Sequence, residues 1–437
     1  MKISKLHIDQ FRHLENLTFD FTYPEDFHIE EKRGKPLDKI CFIGQSATGK
    51  TGLLELIYEH IIGSLRIEIV NGNSLIGFKT DLKKFDGEIQ ILFNKNIYTY
   101  KNDEIFYNNR KFDFNISGGS VTDLISKTDK KNALYFKANL ISEKNIDIFT
   151  KNPIDLVEKY SEEATPSLTA IRNKKGIENQ FITVFNDEVA PEIWLSLLDE
   201  ILQYRKNFTQ KMSELIHKGL LANTNKLTSE FNKWQKENTN VLESFSENFN
   251  PILEKLNLEV DLINTEYSIP IKNKRTDEII PIQNTSTGTK GLLLSFLPLF
   301  KLDTKDSIIL IDEPERSLYP DMQMDLMDNY KKLAPDAQFI VATHSPFIAA
   351  SFEPDERFIL YFDKDGKVAV RRGSSPIGDD PNDMLENDFG INYINKYGQE
   401  KYNQYIELKQ QIYFEKDEKK KKLISEKLEK LGDEYNF

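Results

Sequence analysis

The residues of this chain whose types and spacing could do chemistry fall in three short runs. The first is Gly44-Gln45-Ser46-Ala47-Thr48-Gly49-Lys50-Thr51, which fits G-x-x-x-x-G-K-[ST] at every fixed position. Glycines at this spacing let backbone N–H groups curl around phosphate oxygens, and the helix that follows offers its positive N-terminal end. Lys50 would reach the β- and γ-phosphates and Thr51 would ligate Mg²⁺. The second run is the apolar Ile308–Ile311 followed by Asp312 and Glu313. Paired carboxylates at the end of a buried strand sit where open α/β sheets bind their ligands. Asp312 would hold the Mg²⁺ shell, and Glu313 would orient and deprotonate an attacking water. The third, QFIVATHSPF at 338–347, puts His344 at the end of another buried strand, where its ring could meet the γ-phosphate.

A fourth run is more ordinary taken alone. Ser286-Thr287-Gly288-Thr289-Lys290 precedes the apolar stretch GLLLSFLPLF. Small hydroxyl residues and a glycine at a helix start make either a plain N-cap or a second anion-binding surface.

These runs need a scaffold, and the surrounding pattern supplies one. KICFI reads as a strand into the phosphate loop, and Leu53, Leu54, Ile57, Tyr58 and Ile61 give the next segment a helical period. KISKLHID and ENLTFDF read as two strands around the turn QFRHL, and short alternating runs from 85 to 115 read as an antiparallel meander. From 190 to 257 apolar residues recur at helical spacing on both sides of the polar break ANTNK. That predicts a hairpin of two arms, each roughly 30 residues and about 45–50 Å long. A packed subdomain and a projecting coiled coil both fit it. EVDLINTEYSIPI and EIIPIQN read as strands, and helix and strand alternate from Thr287 onward, which requires a parallel sheet covered by helices. The expected organisation is an N-terminal lobe over 1–150, a helical insertion over 151–257, a C-terminal lobe over 258–375 and a helical tail over 376–437, whose charge run reads as a solvated face.

Composition narrows the class. With 58 basic and 70 acidic residues the net charge is −12, against bulk-charge coating of nucleic acid though not against a local basic groove. No apolar run approaches 18 residues, so no membrane span is expected, and MKISKLHIDQF lacks the apolar region of a signal peptide. The single cysteine, Cys41, excludes a disulfide framework and a cysteine zinc site, which suits a cytoplasmic setting.

Taken together, the order of these motifs resembles the head domains of the SMC/RecF/RecN group of ABC-type ATPases. LHIDQFRHLENLTFDF is similar to their N-terminal pattern, with Arg12 where they place a basic residue near the nucleotide. NTSTGTKGLL resembles a variant signature motif, DEPERSLYP their Walker B and D-loop, and THSP their H-loop. The compact wording DEPE-x-x-L-x-P…THSP is similar to ATPases of prokaryotic antiphage defence, such as those of the Septu and PARIS systems and the ATPase half of OLD-type nucleases. Tyr319 departs from the histidine usual there, and the phosphate-loop interior Gln45–Thr48 is not the common type. No glutamine marks a Q-loop: Gln90 lies in an expected strand, and 135–145 has none.

The resemblance implies a mixed α/β ATPase head that binds ATP and Mg²⁺. Two heads would sandwich ATP, with Gly49, Lys50 and Thr51 of one meeting Ser286 through Lys290 of the other, as a homodimer or dimer-built oligomer. It further implies an ATPase subunit of an antiviral defence system that holds or licenses a separately encoded effector such as a nuclease, with DNA or a phage component as a possible further contact. The alternative is a DNA-repair or DNA-remodelling ATPase. OLD-type nucleases carry a further metal-dependent domain; here Asp363 and Asp365 fit a hairpin turn better, and Lys367 and Ser374 exclude an EF-hand loop.

Overall fold

The computed structural model describes residues 1–69, 85–93, 96–102, 104–111, 133–152, 155–156, 182–392, 394, 396 and 398–435. They divide into two compact units, Met1–Gly378 and Asp379–Phe437.

The larger unit begins with β1 (Lys2–Phe11) and β2 (Leu14–Asp20), turned at Arg12 and His13 as expected, and β3 (Lys39–Gly44), which leads into the helix Lys50–Ile69. β4 (Asp86–Phe93), β5 (Asn96–Lys101), β6 (Glu104–Tyr107) and β7 (Arg110–Lys111) follow, then β8 (Ala133–Phe136) and β9 (Ile182–Phe185). The expected meander is there, and it extends a sheet of order β2-β1-β4-β5-β6-β7, antiparallel throughout. The expected strand beyond Lys111 lies outside the described residues.

Beyond the helices come β10 (Leu258–Val260), β11 (Ile271–Asn273) and β12 (Ile279–Ile280), a small antiparallel sheet. It is shorter than the sequence suggests, because Asp261 Oδ1 accepts the N–H groups of Ile263 and Asn264 and folds that stretch into a turn. The remaining strands are β13 (Ile308–Asp312), β14 (Gln338–Thr343), β15 (Arg357–Phe362) and β16 (Val368–Arg372). They join β3, β8 and β9 in a seven-stranded sheet of order β16-β15-β3-β14-β13-β8-β9, parallel except for β16. Every residue of β13 and β14 is buried, as parallel strands covered on both faces must be.

The two large sheets share one core. Phe19 of β2 and Phe21 just beyond it meet Phe42 and Phe358 of the parallel sheet with ring centroids 5.0–6.1 Å apart, tilted or edge-on. The buried Gln338 amide stitches the same junction. Its Oε1 accepts from Ile3 N at 2.7 Å, and its Nε2 donates to the carbonyls of Ile3 and Leu37.

The helical hairpin packs into the body along part of its length. The first half of Pro191–His217 packs into the body through Trp194, Leu198 and Ile201, which are fully buried. Its second half faces Thr224–Glu237 through half-buried rings, with Tyr204 5.7 Å from Trp234 and Phe208 5.9 Å from Phe231. The returning arm is two helices, not one. The first ends at Glu237 with Asn238 after it, and Asn240 caps Val241–Leu253, its Oδ1 accepting Leu242 N at 3.1 Å.

The smaller unit carries helices Pro381–Asn387, Gln399–Phe414 and Glu418–Tyr435; among their described residues the last two bury none. Among the described residues no helix is long and apolar enough to cross a membrane.

Candidate nucleotide site

β3, β14 and β13 are consecutive parallel neighbours, with Ile43 opposite Thr343 and Asp312 opposite Ala342. Their C-terminal ends therefore open on one edge of the sheet. That edge brings together Gly44–Thr51, Asp312–Glu315 and His344, segments almost 300 residues apart in the chain.

Local sterics shape the loop. A Cβ on Gly44 would lie 2.3 Å from the Leu360 carbonyl oxygen of β15, so only glycine lets the two backbones come this close. Ala47 (φ 66°) and Gly49 (φ 91°) take left-handed backbone conformations that bend the chain into the helix start. The Thr48 hydroxyl closes the curve on the Gln45 carbonyl at 2.8 Å. Lys50 is buried, and its ammonium donates to the carbonyls of Gly44 and Gln45 at 2.8 and 3.0 Å. Burial pulls its pKa down to about 8 against the opposing pull of Asp312, Glu313 and Glu315.

The Thr51 hydroxyl donates to Asp312 Oδ2 at 2.9 Å, linking the loop to the end of β13. Burial raises the Asp312 pKa and neighbouring Glu313 adds to it, while the Thr51 hydrogen bond holds it back. A hydroxyl and a carboxylate side by side are the hard oxygen donors that suit Mg²⁺. Glu313 then leaves the strand with a left-handed backbone (φ 51°), and its N–H returns to the Ala342 carbonyl at 2.9 Å. Such a conformation costs a non-glycine residue on the order of 1–3 kcal/mol and persists where its surroundings impose it. Here it turns the carboxylate off the line of β13. The solvent-facing His344 ring has its pKa held below the usual 6.5 by partial desolvation and then by the Lys50 charge, against Glu313. The lowered pKa favours the neutral imidazole, which can both donate and accept.

Glu315 is a member of this edge that the sequence reading did not single out. Its carboxylate accepts the Thr343 hydroxyl and the His344 N–H, and burial raises its pKa. The signal was present as a third acidic residue in DEPE; what it binds is decided only by the neighbouring strand.

The other candidates fall around this edge. Arg12 also has a left-handed backbone (φ 55°) and lies over the first turn of the loop's helix. Its Nη1 is 3.1 Å from where a Cβ of Gly52 would sit, and its Nη2 donates to Glu55 Oε2 at 2.8 Å. Ser286 caps Thr287–Lys301, its Oγ accepting Thr289 N at 3.1 Å. Ser286 and Thr287 face solvent, whereas Gly288 and Thr289 are buried and Lys290 is half-buried. A Cβ on Gly288 would lie 2.5 Å from the Ser317 carbonyl, so the helix start presses on the turn after Glu313. Thr287, Gly288, Asp312, Glu313 and Lys137 line one cavity of about 410 Å³; none of residues 44–51 lines it. Asp363 is committed to its own hairpin, its Oδ1 accepting from Asp365 N and Lys367 N at 2.9 Å.

Known proteins share parts of this chain. A family model described as AAA ATPase domain (AAA_15) matches residues 1–349. The Septu protein PtuA of Bacillus thuringiensis is 35% identical over 72 residues, which is 16% of this chain and 18% of that protein. Among solved structures, the SMC head domain of Thermotoga maritima has 12% identity and a TM-score of 0.40, covering 86% of this chain and 100% of that one. An SMC head with an extended coiled coil from Pyrococcus furiosus, bound to the C-terminal domain of ScpA, has 17% identity and a TM-score of 0.38, covering 85% and 96%.

Proposed function

Because the chain belongs to the AAA ATPase domain family, we propose that it binds ATP with Mg²⁺ and hydrolyses it at the shared ends of β3, β13 and β14. The observation that carries this is the 2.9 Å hydrogen bond between Thr51 and Asp312, with Glu313 next in the chain and Lys50 close enough to feel both carboxylates. Thr51 and Asp312 would hold Mg²⁺, which neutralises phosphate charge. Gly44 through Gly49 cradle the phosphates with backbone N–H groups and Lys50 meets the β- and γ-phosphates. Glu313 accepts the proton of the attacking water, and neutral His344 hydrogen-bonds the γ-phosphate.

We further propose that hydrolysis works as a dimerisation switch. The solvent-facing Ser286 and Thr287 at a helix start give a second phosphate-binding surface, presented to the nucleotide of another copy. The PtuA likeness, though confined to a small part of both chains, supports an antiviral defence ATPase that holds or licenses a separately encoded effector, such as a nuclease.

The test is the mass in solution of wild type and Glu313→Gln, with and without ATP and Mg²⁺. Growth on ATP, retained by Glu313→Gln while hydrolysis drops by a factor of about 10²–10⁴, is expected. An ATP-indifferent mass would end the switch reading, and normal hydrolysis by Glu313→Gln would remove Glu313 as the base.

A further inference from the structure

Lys137 has no role in the site described so far, yet the topology carries it there. β8 runs parallel beside β13 with Phe136 opposite Ile311. The residues that follow are therefore Lys137, just past the end of β8, and Asp312, the last of β13. The Lys137 N–H is fixed to the Phe185 carbonyl at 2.9 Å, and the residue is among those that line the cavity with Asp312 and Glu313. Arg316, the other cation lining that cavity, is committed to the Ala138 carbonyl at 2.9 Å and pins the backbone beside Lys137.

The contacts Lys137 has are loose ones. Its Nζ lies 3.8 Å from Glu55 Oε1, at the edge of ion-pair range with both side chains partly exposed, and 5.8 Å from the centre of the Tyr135 ring. Glu55 sits on the phosphate-loop helix four residues after Thr51, hence on the same face one turn along. Its other oxygen takes Arg12. One carboxylate thus serves two cations, and a long, solvated pair of this kind exchanges readily. A terminal phosphate beside Thr51 and Asp312 would present more negative charge than Glu55 and would compete for Nζ.

We propose that Lys137 binds the terminal phosphate of ATP, moving there from Glu55, and so makes the site distinguish ATP from ADP. This rests on the ATPase reading above. The contact also ties γ-phosphate occupancy to the segment leading into helix Glu143–Thr150, whose Phe149 packs 5.9 Å from Trp194 of the long helix.

Dissociation constants for ATP and ADP, each with Mg²⁺, and kcat in wild type, Lys137→Met and Lys137→Arg test it. Loss of one charge-assisted hydrogen bond should weaken ATP about tenfold or more, leave ADP binding unchanged and lower kcat. Lys137→Arg, which keeps the charge, should retain part of the ATP preference. Should Lys137→Met perturb the fold, Lys137→Gln reads the same quantities. Equal losses for ATP and ADP, or no loss for either, overturn the assignment alone. Wild-type protein that binds neither nucleotide overturns the ATPase reading and takes this inference with it.

Discussion

Glu315 accepts the backbone N–H of His344 at 2.7 Å, and with its second carboxylate oxygen the Thr343 hydroxyl at 2.8 Å. The turn after β13 is thereby fastened to the end of β14, and His344 is held by its main chain while its ring stays free. Glu315→Ala would leave two donors without their acceptor, at about 1–3 kcal/mol for each that stays buried. We expect a lower Tm together with a lower kcat, and intermediate values for Glu315→Gln, which keeps one acceptor. Thermal unfolding and hydrolysis rates of the two variants check this; an alanine variant with wild-type values would show that the fastening is dispensable.

Lys50 gives the site a pH dependence whose sign follows from its surroundings. Its folded pKa is about 8, below the ordinary 10.5, because burial disfavours the ammonium. Phosphates beside it would restore the charged form, so ATP binding takes up a proton as pH rises above about 8, and affinity falls through the window from 8 to 10.5. The same depressed pKa makes the folded state bind fewer protons than the unfolded one in that window, so the burial penalty is fully present below pH 8 and is relieved as pH rises. Calorimetry of ATP binding at pH 8.5 in buffers of different ionisation enthalpy measures the uptake. A proton number of zero there would mean that Lys50 keeps an ordinary pKa.

Gly288 should not tolerate a methyl group, and Gly291 should. A Cβ at 288 would press to 2.5 Å on the Ser317 carbonyl, whereas one at 291 would find Ile141 Cδ1 at 3.7 Å, an ordinary contact. Gly288→Ala must shift the turn behind Glu313, with a stability loss of about 1–3 kcal/mol from overpacking and a fall in hydrolysis. Gly291→Ala should be neutral or gain up to about 1 kcal/mol in helix propensity. Denaturant unfolding of the pair decides it, and equal tolerance would contradict the close approach at Gly288.

Arg12 is half exposed and paired with Glu55 on the surface, so the pair itself contributes about 0–1 kcal/mol. Arg12→Ala should leave the fold intact and weaken ATP several-fold. Unchanged affinity would remove Arg12 from the site.

The features legible in the sequence are those written locally. The phosphate loop is eight consecutive residues between a strand and a helix, and the glycine spacing and Lys-Thr pair carry its geometry wherever it occurs. The all-apolar runs before Asp312 and His344 mark buried parallel strands by their pattern alone. The hairpin arms are visible from their period, but the break from Asn238 to Asn240 is not, because a capping asparagine differs little from a polar one inside an exposed helix.

What only the tertiary structure decided is which strand ends lie side by side. The pairing of β8 with β13 sets Lys137 next to Asp312 across about 175 residues, and the pairing of β13 with β14 brings Glu315 to the His344 N–H. Sequence by itself determined the groups that can touch phosphate, since backbone bending and strand burial are properties of neighbours in the chain. The neighbours those groups act with are chosen by hydrogen-bond register between distant strands, and nothing in a short run of residues encodes that.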